Sequence, residues 1–323
     1  MNVTILGTGA YGIALSSMFL KNNCNITMWT HSQDEKERLD KERCNSKVLP
    51  NYRIDDSIKF TANLGESIKE AELIVIAIPV KFVSNIIQEL KFFYKGNQHI
   101  CIASKGIEQG SCLFIASIVK NILKTKKFGV ISGGTFAVDM VNDVPVGLSL
   151  ASKNKGTINI ITKALQNDYL KLIITADVFG VEMYGAIKNV IAIASGIVDG
   201  MGYPESTKCM FITKALNDVV DLIYTMGGNK KTILTYAGIG DLLLTCNSVK
   251  SRNYSFGKML GERQEKSIIN DYKENTTIEG LYTLKSIHDL IHSKKIKMPI
   301  IDIIYDIVYK EKDIVLLEEY LKK

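Results

Sequence analysis

Residues 2–20 read NVTILGTGAYGIALSSMFL, and this stretch decides the fold of the first half of the chain. Asn2–Leu6 is apolar and rich in β-branched residues, which predicts a buried strand, and Ile13–Leu20 predicts a helix. Three glycines in a GxGxxG pattern separate the two segments: Gly7, Gly9 and Gly12. Between a strand and a helix, this pattern provides a tight turn, a close approach of the backbone to a pyrophosphate, and close helix–strand packing. The stretch therefore predicts a dinucleotide-binding unit whose helix N-terminus binds the phosphates.

The residues after the second predicted strand, Asn25–Trp29, bear on the choice of cofactor. An NAD site usually has an acidic residue about 20 residues after the glycines, where it binds the ribose 2′-hydroxyl. Here the sequence Thr-His-Ser occupies that place, and Asp34 comes slightly late, where it could simply start the helix predicted at Asp34–Arg43. Three basic side chains could instead meet the 2′-phosphate of NADP: His31, Lys36 and Arg38. Lys36 and Arg38 suit an exposed surface better than His31 does, and the choice between NAD and NADP stays open.

Apolar runs of strand length continue along the first half of the chain. The further predicted strands are Leu73–Ile78, His99–Ala103, Phe128–Ile131, Val146–Ala151 and Leu172–Thr175. Helices are predicted between them at Lys81–Tyr94 and Gly156–Gln166. This alternation predicts a Rossmann-type, doubly wound α/β sheet that ends near Asp177.

Long helical periods replace the strands in the second half. We place the domain boundary at residues 179–180, with a dinucleotide-binding domain at 1–179 and an all-α substrate and catalytic domain at 180–323. Helices are predicted at Val181–Val198, Glu205–Met226 and Ile300–Val308, followed by a charged tail.

Two segments that follow predicted strands are candidates for ligand binding, because ligands of open α/β sheets bind beyond the carboxyl ends of the strands. Lys105 comes directly after one strand and precedes a glycine, although an ordinary loop lysine would look the same. Residues 132–137 (SGGTFA) follow the next strand and offer backbone donors, two hydroxyls and room for a ligand. A plain turn would have a similar sequence.

Lys188 lies within GAIKNVIAIASG, residues 185–196, which predicts a helix that is apolar almost all round and hence buried. A desolvated ammonium is costly, and its pKa moves easily, so a buried lysine often serves as an acid, a base or an anion clamp. The alternative is that Lys188 packs its stem along apolar surface and extends its ammonium into water.

Three polar positions further along the chain could complete a site. Asp241 follows a Gly-Ile-Gly turn and could face a neighbouring cation, or it could cap a helix. Arg252 stands between a serine and an asparagine and could grip a phosphate, or lie on the surface at a helix start. Glu279, beside a glycine, could bond to a ribose or amide group of a cofactor, or cap a helix.

The composition excludes some functions. The chain has 323 residues, 46% hydrophobic and 23% charged, and its net charge of +6 is spread along the sequence, which argues against nucleic acid as the main partner. Its six cysteines form no CxxC pair and no zinc spacing with histidine, so no metal site is expected and a reducing compartment is indicated. We find no signal-peptide pattern and no apolar run of membrane-span length, and expect a cytoplasmic protein without a membrane span.

Seven motifs together resemble bacterial NAD(P)-dependent glycerol-3-phosphate dehydrogenase. In the order of that family they are residues 7–12 (GTGAYG), 104–106 (SKG), 132–137 (SGGTFA), 185–189 (GAIKN), 237–242 (AGIGDL), 251–253 (SRN) and 278–280 (IEG). The resemblance covers nearly the whole chain. The helix of Lys188 and the run from Gly238 to Cys246 are its most specific parts.

The resemblance implies reversible hydride transfer between NADH or NADPH and dihydroxyacetone phosphate, giving sn-glycerol 3-phosphate for phospholipid synthesis. It implies catalytic roles for Lys188 as general acid/base, and for Lys105 and Asp241. The substrate-binding residues would be Lys105, Gly133, Thr135, Lys188, Asp241, Ser251, Arg252 and Asn253. The cofactor-binding residues would be Gly7, Gly9, Ala10, Tyr11, Gly12, His31, Lys105, Ala137, Arg252, Thr277 and Glu279.

The sequence departs from the family pattern at three positions. Gly134 and Thr135 replace the usual proline and serine, and Ala10 replaces a serine, so only its backbone N–H remains for a phosphate. Other dehydrogenases of the same two-domain plan (3-hydroxyacyl-CoA, ketopantoate or 6-phosphogluconate types) and a non-catalytic NAD(P)-binding regulator are the rival interpretations. The second-domain helices could also form the interface of a homodimer.

Overall fold

Short runs of isoleucine, valine and leucine form an eight-stranded sheet in the structure, a computed structural model that describes residues 1–322. The strands are β1 (Asn2–Leu6), β2 (Asn25–Trp29), β3 (Lys59–Thr61), β4 (Leu73–Ile76), β5 (His99–Ile102), β6 (Phe128–Ser132), β7 (Val146–Ala151) and β8 (Leu170–Thr175). Their order is β3-β2-β1-β4-β5-β6-β7-β8, and all neighbours are parallel except β6 and β7.

Seven helices accompany these strands: α1 (Ala10–Leu20), α2 (Gln33–Glu42), α3 (Leu64–Ile68), α4 (Val80–Leu90), α5 (Ile115–Leu123), α6 (Ala137–Val141) and α7 (Lys155–Leu165). Central strands such as β4 are buried along their whole length, as expected of a parallel sheet with both faces covered. The predicted Rossmann-type, doubly wound sheet is confirmed. In β1, Ile5 lies opposite Met28 of β2 and Val75 of β4, which places the end of β1 at the middle of the sheet.

The second half of the described chain is helical. Its helices are α8 (Val178–Gly200), α9 (Glu205–Thr225), α10 (Asp241–Cys246), α11 (Arg252–Gly261), α12 (Lys266–Asn275), α13 (Glu279–Ser293), α14 (Pro299–Tyr309) and α15 (Val315–Lys322). A 3-10 helix at Lys230–Leu234 and a π-helical turn at Tyr236–Gly240 precede α10. The predicted all-α second half is confirmed. The predicted charged tail instead forms α15, because Leu317 and Tyr320, three residues apart, pack together into the core.

The chain folds into two compact units whose sequences interleave. The first unit contains Met1–Lys105 and Ile115–Val178, and the second contains Gly106–Phe114 and the chain from Phe179 onward. A boundary at residues 179–180 therefore differs from this division by the segment Gly106–Phe114 and by Phe179 itself. Ile107 of that segment is fully buried, and its carbonyl accepts a hydrogen bond from Ser286 Oγ of α13 (3.2 Å).

Helix α8 is buried on nearly every face and packs against α11 backbone to backbone. A Cβ added at Gly196 would collide with the Tyr254 carbonyl oxygen, and one at Gly257 would collide with that of Ile193. By length and composition, α8 alone among the described helices could cross a membrane, but 94% of its apolar window is buried inside the protein. The core helix of a folded domain meets the same test.

Candidate active site

The glycine-rich turn after β1 has the form that a pyrophosphate requires. Gly7 has a φ of +117°, and a Cβ there would lie 2.5 Å from the Ala77 carbonyl oxygen. A Cβ at Gly12 would lie 2.5 Å from the Gly7 carbonyl oxygen, whereas the Cβ direction of Gly9 meets no atom within 4 Å. Helix α1 begins here with no side-chain cap and no acidic residue in its first turn. The first N–H groups of α1 therefore fit an anion, as predicted for a dinucleotide phosphate.

A carboxylate that the sequence did not single out lies beyond the end of β2. Glu35 accepts hydrogen bonds from Thr30 Oγ1 (2.6 Å) and from Asn45 Nδ2 (3.4 Å). Asn45 Nδ2 also donates to the Thr8 carbonyl oxygen (3.0 Å), which ties Glu35 to the glycine-rich turn. A detectable signal existed in the sequence, because Ser32 and Glu35 have the spacing of a capping box and Ser32 Oγ accepts the Glu35 N–H.

The basic residues that could bind a 2′-phosphate either lie near carboxylates or are exposed to solvent. Lys36 pairs with Asp40 at 2.8 Å within α2. In the Arg38 guanidinium, Nη2 lies 3.8 Å from Glu35 Oε1 and Nη1 lies 3.8 Å from Glu42 Oε2. His31 is exposed, as is Asp34. Of the residues discussed here, Glu35 is the one that buried polar groups hold in place.

Lys105 lies where the carboxyl ends of β5 and β6 meet the start of α1. Its Nζ donates to the Gly133 carbonyl oxygen (3.4 Å) and lies 5.9 Å from the ring centroid of Tyr11. A Cβ at Gly133 would lie 2.5 Å from the Gly147 carbonyl oxygen, so the chain runs close to β7 at this point. Three segments predicted to bind ligands are thus neighbours within the first unit.

Two hydroxyls of the segment 132–137 are buried without a hydrogen-bond partner among the described residues, those of Ser132 and Thr135. The Thr135 N–H donates to the Gly133 carbonyl oxygen (3.0 Å), which folds the segment into a tight turn before Ala137 begins α6. Buried hydroxyls normally have partners, so these two are suited to a ligand that supplies them.

In the second unit, Lys188 projects from α8 toward α10. Its Nζ forms an ion pair with Asp241 and donates to Thr245 Oγ1 (3.1 Å). The side chains of Lys188 and Asp241 are only 12% and 1% exposed. The alternative in which Lys188 extends into open water is therefore excluded. Thr245, which also donates to the Asp241 carbonyl oxygen (2.6 Å), was missed by the sequence analysis although it lies one helical turn after Asp241.

The position of Asp241 depends on the glycine turn before it. A Cβ at Gly238 would collide with the Ile233 carbonyl oxygen, so the turn packs directly on the preceding 3-10 helix. Asp241 then opens α10, where the helix dipole stabilises a carboxylate. Asp241 therefore has both roles that the sequence suggested: it starts a helix, and it pairs with a cation. Nearby, burial raises the pKa of the Cys246 thiol, which keeps it protonated and unsuited to act as a nucleophile.

The Ser-Arg-Asn segment starts α11. Ser251 caps this helix by accepting the Tyr254 N–H (3.3 Å), and Asn253 Oδ1 accepts the Gly280 N–H (2.8 Å) at the start of α13. The Arg252 side chain is exposed and has no carboxylate partner among residues 1–322. Ser251 and Asn253 thus hold two helix starts in place, while Arg252 is available to an anion.

The start of α13 lies beside the helix of Lys188. A Cβ at Gly280 would lie 2.8 Å from the carbonyl oxygen of Asn189, the residue after Lys188. Glu279 is half-buried and Thr277 is exposed at this point. The predicted residues therefore form two groups, one in each unit, and the second unit brings together the motifs at 185–189, 237–242, 251–253 and 278–280.

Comparison with known proteins identifies the relatives of this arrangement. The family profile described as "NAD-dependent glycerol-3-phosphate dehydrogenase N-terminus" matches residues 2–158, and the corresponding C-terminus profile matches residues 177–317. A Fusobacterium nucleatum protein named glycerol-3-phosphate dehydrogenase [NAD(P)+] is 33% identical over 97% of this chain and 94% of its own length. A Leptospira biflexa protein of the same name is 34% identical, over 97% and 95%.

Solved structures agree with the sequence comparison. The crystal structure of glycerol-3-phosphate dehydrogenase from Coxiella burnetii superposes with a TM-score of 0.94 and 29% identity, covering 100% of this chain and 99% of that one. Both family profiles, the near-complete coverage and the paired Lys188 and Asp241 lead to one assignment. The chain belongs to the family of NAD-dependent glycerol-3-phosphate dehydrogenases.

Proposed function

We propose that this chain catalyses the reversible reduction of dihydroxyacetone phosphate to sn-glycerol 3-phosphate with NADH or NADPH, and that Lys188 is its general acid and base. The observation that carries the assignment of the acid is the buried contact of Lys188 with Asp241 and Thr245. A buried ammonium loses its hydration, and the attraction to a buried carboxylate offsets that cost. The pair therefore holds the ammonium in a fixed position in its charged form. Catalysis requires such a preorganised charge.

Lys188 would act on the oxygen at C2 of the substrate. When bound, the nicotinamide supplies or accepts the hydride at that carbon. As the carbonyl is reduced, negative charge develops on its oxygen; the Lys188 ammonium stabilises this charge and donates one proton to it. In the reverse direction, neutral Lys188 accepts the proton of the C2 hydroxyl. Asp241 and Thr245 hold the Nζ in place through both directions.

Arg252 would bind the substrate phosphate. Its guanidinium has five donors in a fork that matches phosphate oxygens, and it forms no ion pair with a carboxylate of the described residues. Binding energy from the phosphate, remote from C2, then serves to orient the reacting carbon. Ser251 and Asn253 support this role by fixing the two helix starts around the arginine.

The cofactor phosphates would lie on the backbone of Gly7, Gly9 and Ala10 at the start of α1. Tyr11, His31, Lys105 and Ala137 would line the rest of the cofactor site in the first unit. The cofactor contacts of Thr277 and Glu279 stay predictions. The unpartnered hydroxyls of Ser132 and Thr135 support a ligand in this region. With Ala10 in place of a serine, the phosphate contact there is made by the N–H alone.

We also infer a cytoplasmic enzyme that supplies glycerol phosphate for phospholipid synthesis. The six cysteines are free thiols in the structure, which suits a reducing compartment. We further propose a homodimer formed through second-unit helices, where Tyr224 and Leu234 are 60% and 76% exposed. Sedimentation velocity of the purified chain would distinguish a dimer from a monomer.

The reaction is tested by the loss of nicotinamide absorbance on mixing the protein with dihydroxyacetone phosphate and either NADH or NADPH. We expect turnover by the native chain, and a loss of about 10²–10⁴-fold in kcat for Lys188→Ala, the range of general acid–base catalysis. Lys294→Ala, which removes an exposed lysine from the C-terminal end of α13, is the matched control and should retain turnover. Cofactor binding without turnover by the native chain would refute the proposed reaction, and full turnover by Lys188→Ala would refute the proposed acid.

A further inference from the structure

Two histidines and an aspartate form a cluster on α13 and α14. His288 and His292 are four residues apart on α13, so their rings lie on one face of that helix. Asp302 of α14 faces them: its Oδ1 lies 2.8 Å from His292 Nε2 and 3.7 Å from His288 Nε2. One ligand atom from each of the three residues lies within 4.8 Å of the other two.

The cluster packs against α14 through His288 and is open to solvent at His292 and Asp302. The His288 ring stacks on Tyr305 of α14, with centroids 3.8 Å apart and an interplanar angle of 11°. The Nδ1 atom of His288 is buried and forms no hydrogen bond with residues 1–322. It lies 3.7 Å from Asp289 Oδ1. A carboxylate that accepts a hydrogen bond from the second ring nitrogen often supports a metal-binding histidine, and Asp289 is a nearby carboxylate, although at 3.7 Å it forms no such bond here. His292 and Asp302 are 57% and 43% exposed, which leaves the ligand atoms accessible from solvent.

We propose that His288, His292 and Asp302 bind one divalent transition-metal ion. Two imidazole nitrogens and one carboxylate oxygen are a ligand set that suits Zn²⁺, Co²⁺ or Ni²⁺, whereas Mg²⁺ and Ca²⁺ prefer oxygen ligands alone. Metal–ligand bonds of about 2.0–2.1 Å place tetrahedral ligands roughly 3.4 Å apart, which lies inside the range of separations in the cluster. Water would complete the coordination. The ion would join α13 to α14 and stabilise the second unit, independently of the proposed reaction.

This cluster has little signature in the sequence. It contains no cysteine, so neither a cysteine pair nor a Cys/His spacing marks it, and its carboxylate comes from the next helix. The spacing of four between His288 and His292 was its one local signal.

The proposal is tested by titrating Co²⁺ into chelator-treated full-length protein, with visible absorption to distinguish nitrogen and oxygen ligands from thiolates such as the exposed Cys209. We expect one Co²⁺ per chain. Losing an outer partner of a metal site costs roughly 10–100-fold in affinity, so His292→Gln, which removes a ligand, should cost at least about 100-fold. Asp306→Asn removes a carboxylate of α14 that pairs with Lys310 and Lys312, and should leave the metal affinity unchanged.

Acidification gives a second measurement that needs no variant. Protons compete with a metal ion for imidazole nitrogen, so the affinity for Co²⁺ should fall as the pH is lowered. Thiolate absorption bands, equal affinity in His292→Gln, or no binding by the native chain would each overturn the proposal.

Discussion

At the scale of single residues, Glu35 bears on the cofactor choice that the sequence left open. Its carboxylate is fixed by Thr30 and Asn45, and Asn45 also contacts the glycine-rich turn at Thr8. An acidic side chain in this place binds the two ribose hydroxyls of NAD and repels the 2′-phosphate of NADP. We therefore expect NADH to be the better cofactor.

Glu35→Gln tests this expectation. A hydrogen bond to a charged group contributes about 1.5–3 kcal/mol, so the ratio of kcat/KM for NADH over NADPH should fall by roughly 10–150-fold. Glu37→Gln changes an exposed carboxylate on the same helix, whose Oε1 accepts a hydrogen bond from Gln33, and should leave the ratio as it is. A native chain that already prefers NADPH would show that His31 or Arg38 dominates instead.

At the scale of elements, the crossing of α8 and α11 is made by four glycines: Gly196, Gly200, Gly257 and Gly261. Gly257→Ala would place a methyl group against the carbonyl oxygen of Ile193, and neither helix backbone can yield locally. Overpacking of a core costs about 1–3 kcal/mol, and we expect the upper end of this range or more. Urea unfolding should show a lower midpoint.

Gly240→Ala is the matched control for that measurement. Gly240 has helical φ and ψ of −62° and −48°, and its Cβ direction meets no atom within 4 Å. Alanine there should stabilise the protein by up to about 1 kcal/mol, because glycine loses more backbone freedom on folding. A similar midpoint for both variants would mean that the two helices can separate at little cost.

Elements with a strong local signal were predictable, and those that depend on a neighbour were not. The ends of β1, β2 and β7 agree with the sequence prediction because each is a clear apolar run. Strand β3 was missed, since it has three residues and exists only through its pairing with β2. In the same way Lys188 could be recognised from its apolar helix, whereas Thr245 gains its importance from a contact that no local pattern encodes. The capping-box spacing of Ser32 and Glu35 indicates a helix start, but not the contacts of the Glu35 carboxylate with Thr30 and Asn45.

At the scale of the whole molecule, the segment Gly106–Phe114 makes the second unit depend on residues from the first half of the sequence. Ile107 is fully buried, and Phe114 packs edge-on against Phe179 with ring centroids 5.3 Å apart. The segment is short and irregular, so its sequence does not indicate that it belongs to the second unit. The sequence therefore predicted a single boundary at residues 179–180. The second unit should accordingly respond to substitutions more than 60 residues before that boundary.

Ile107→Ala tests this dependence. Truncating a buried isoleucine to alanine costs about 2–5 kcal/mol, and the loss should reduce amide hydrogen-exchange protection in α8 and α13. Ile118→Ala makes the same truncation in α5, which is buried in the first unit, and should reduce protection in the sheet instead. Equal loss of protection in both halves for both variants would show that the two units unfold together.

The backbone contact between α8 and α11 also bears on how this protein could change in evolution. Lys188 and Arg252, the residues that we propose act on the two ends of the substrate, belong to these two helices. The spacing of their Cα atoms is set by main-chain atoms in contact at Gly196 and Gly257. Substitutions around the site can alter charge and polarity but not this distance. The spacing of the two backbones is therefore inherited with the helix crossing. A descendant with a longer substrate would have to change the reach of these side chains or the crossing itself.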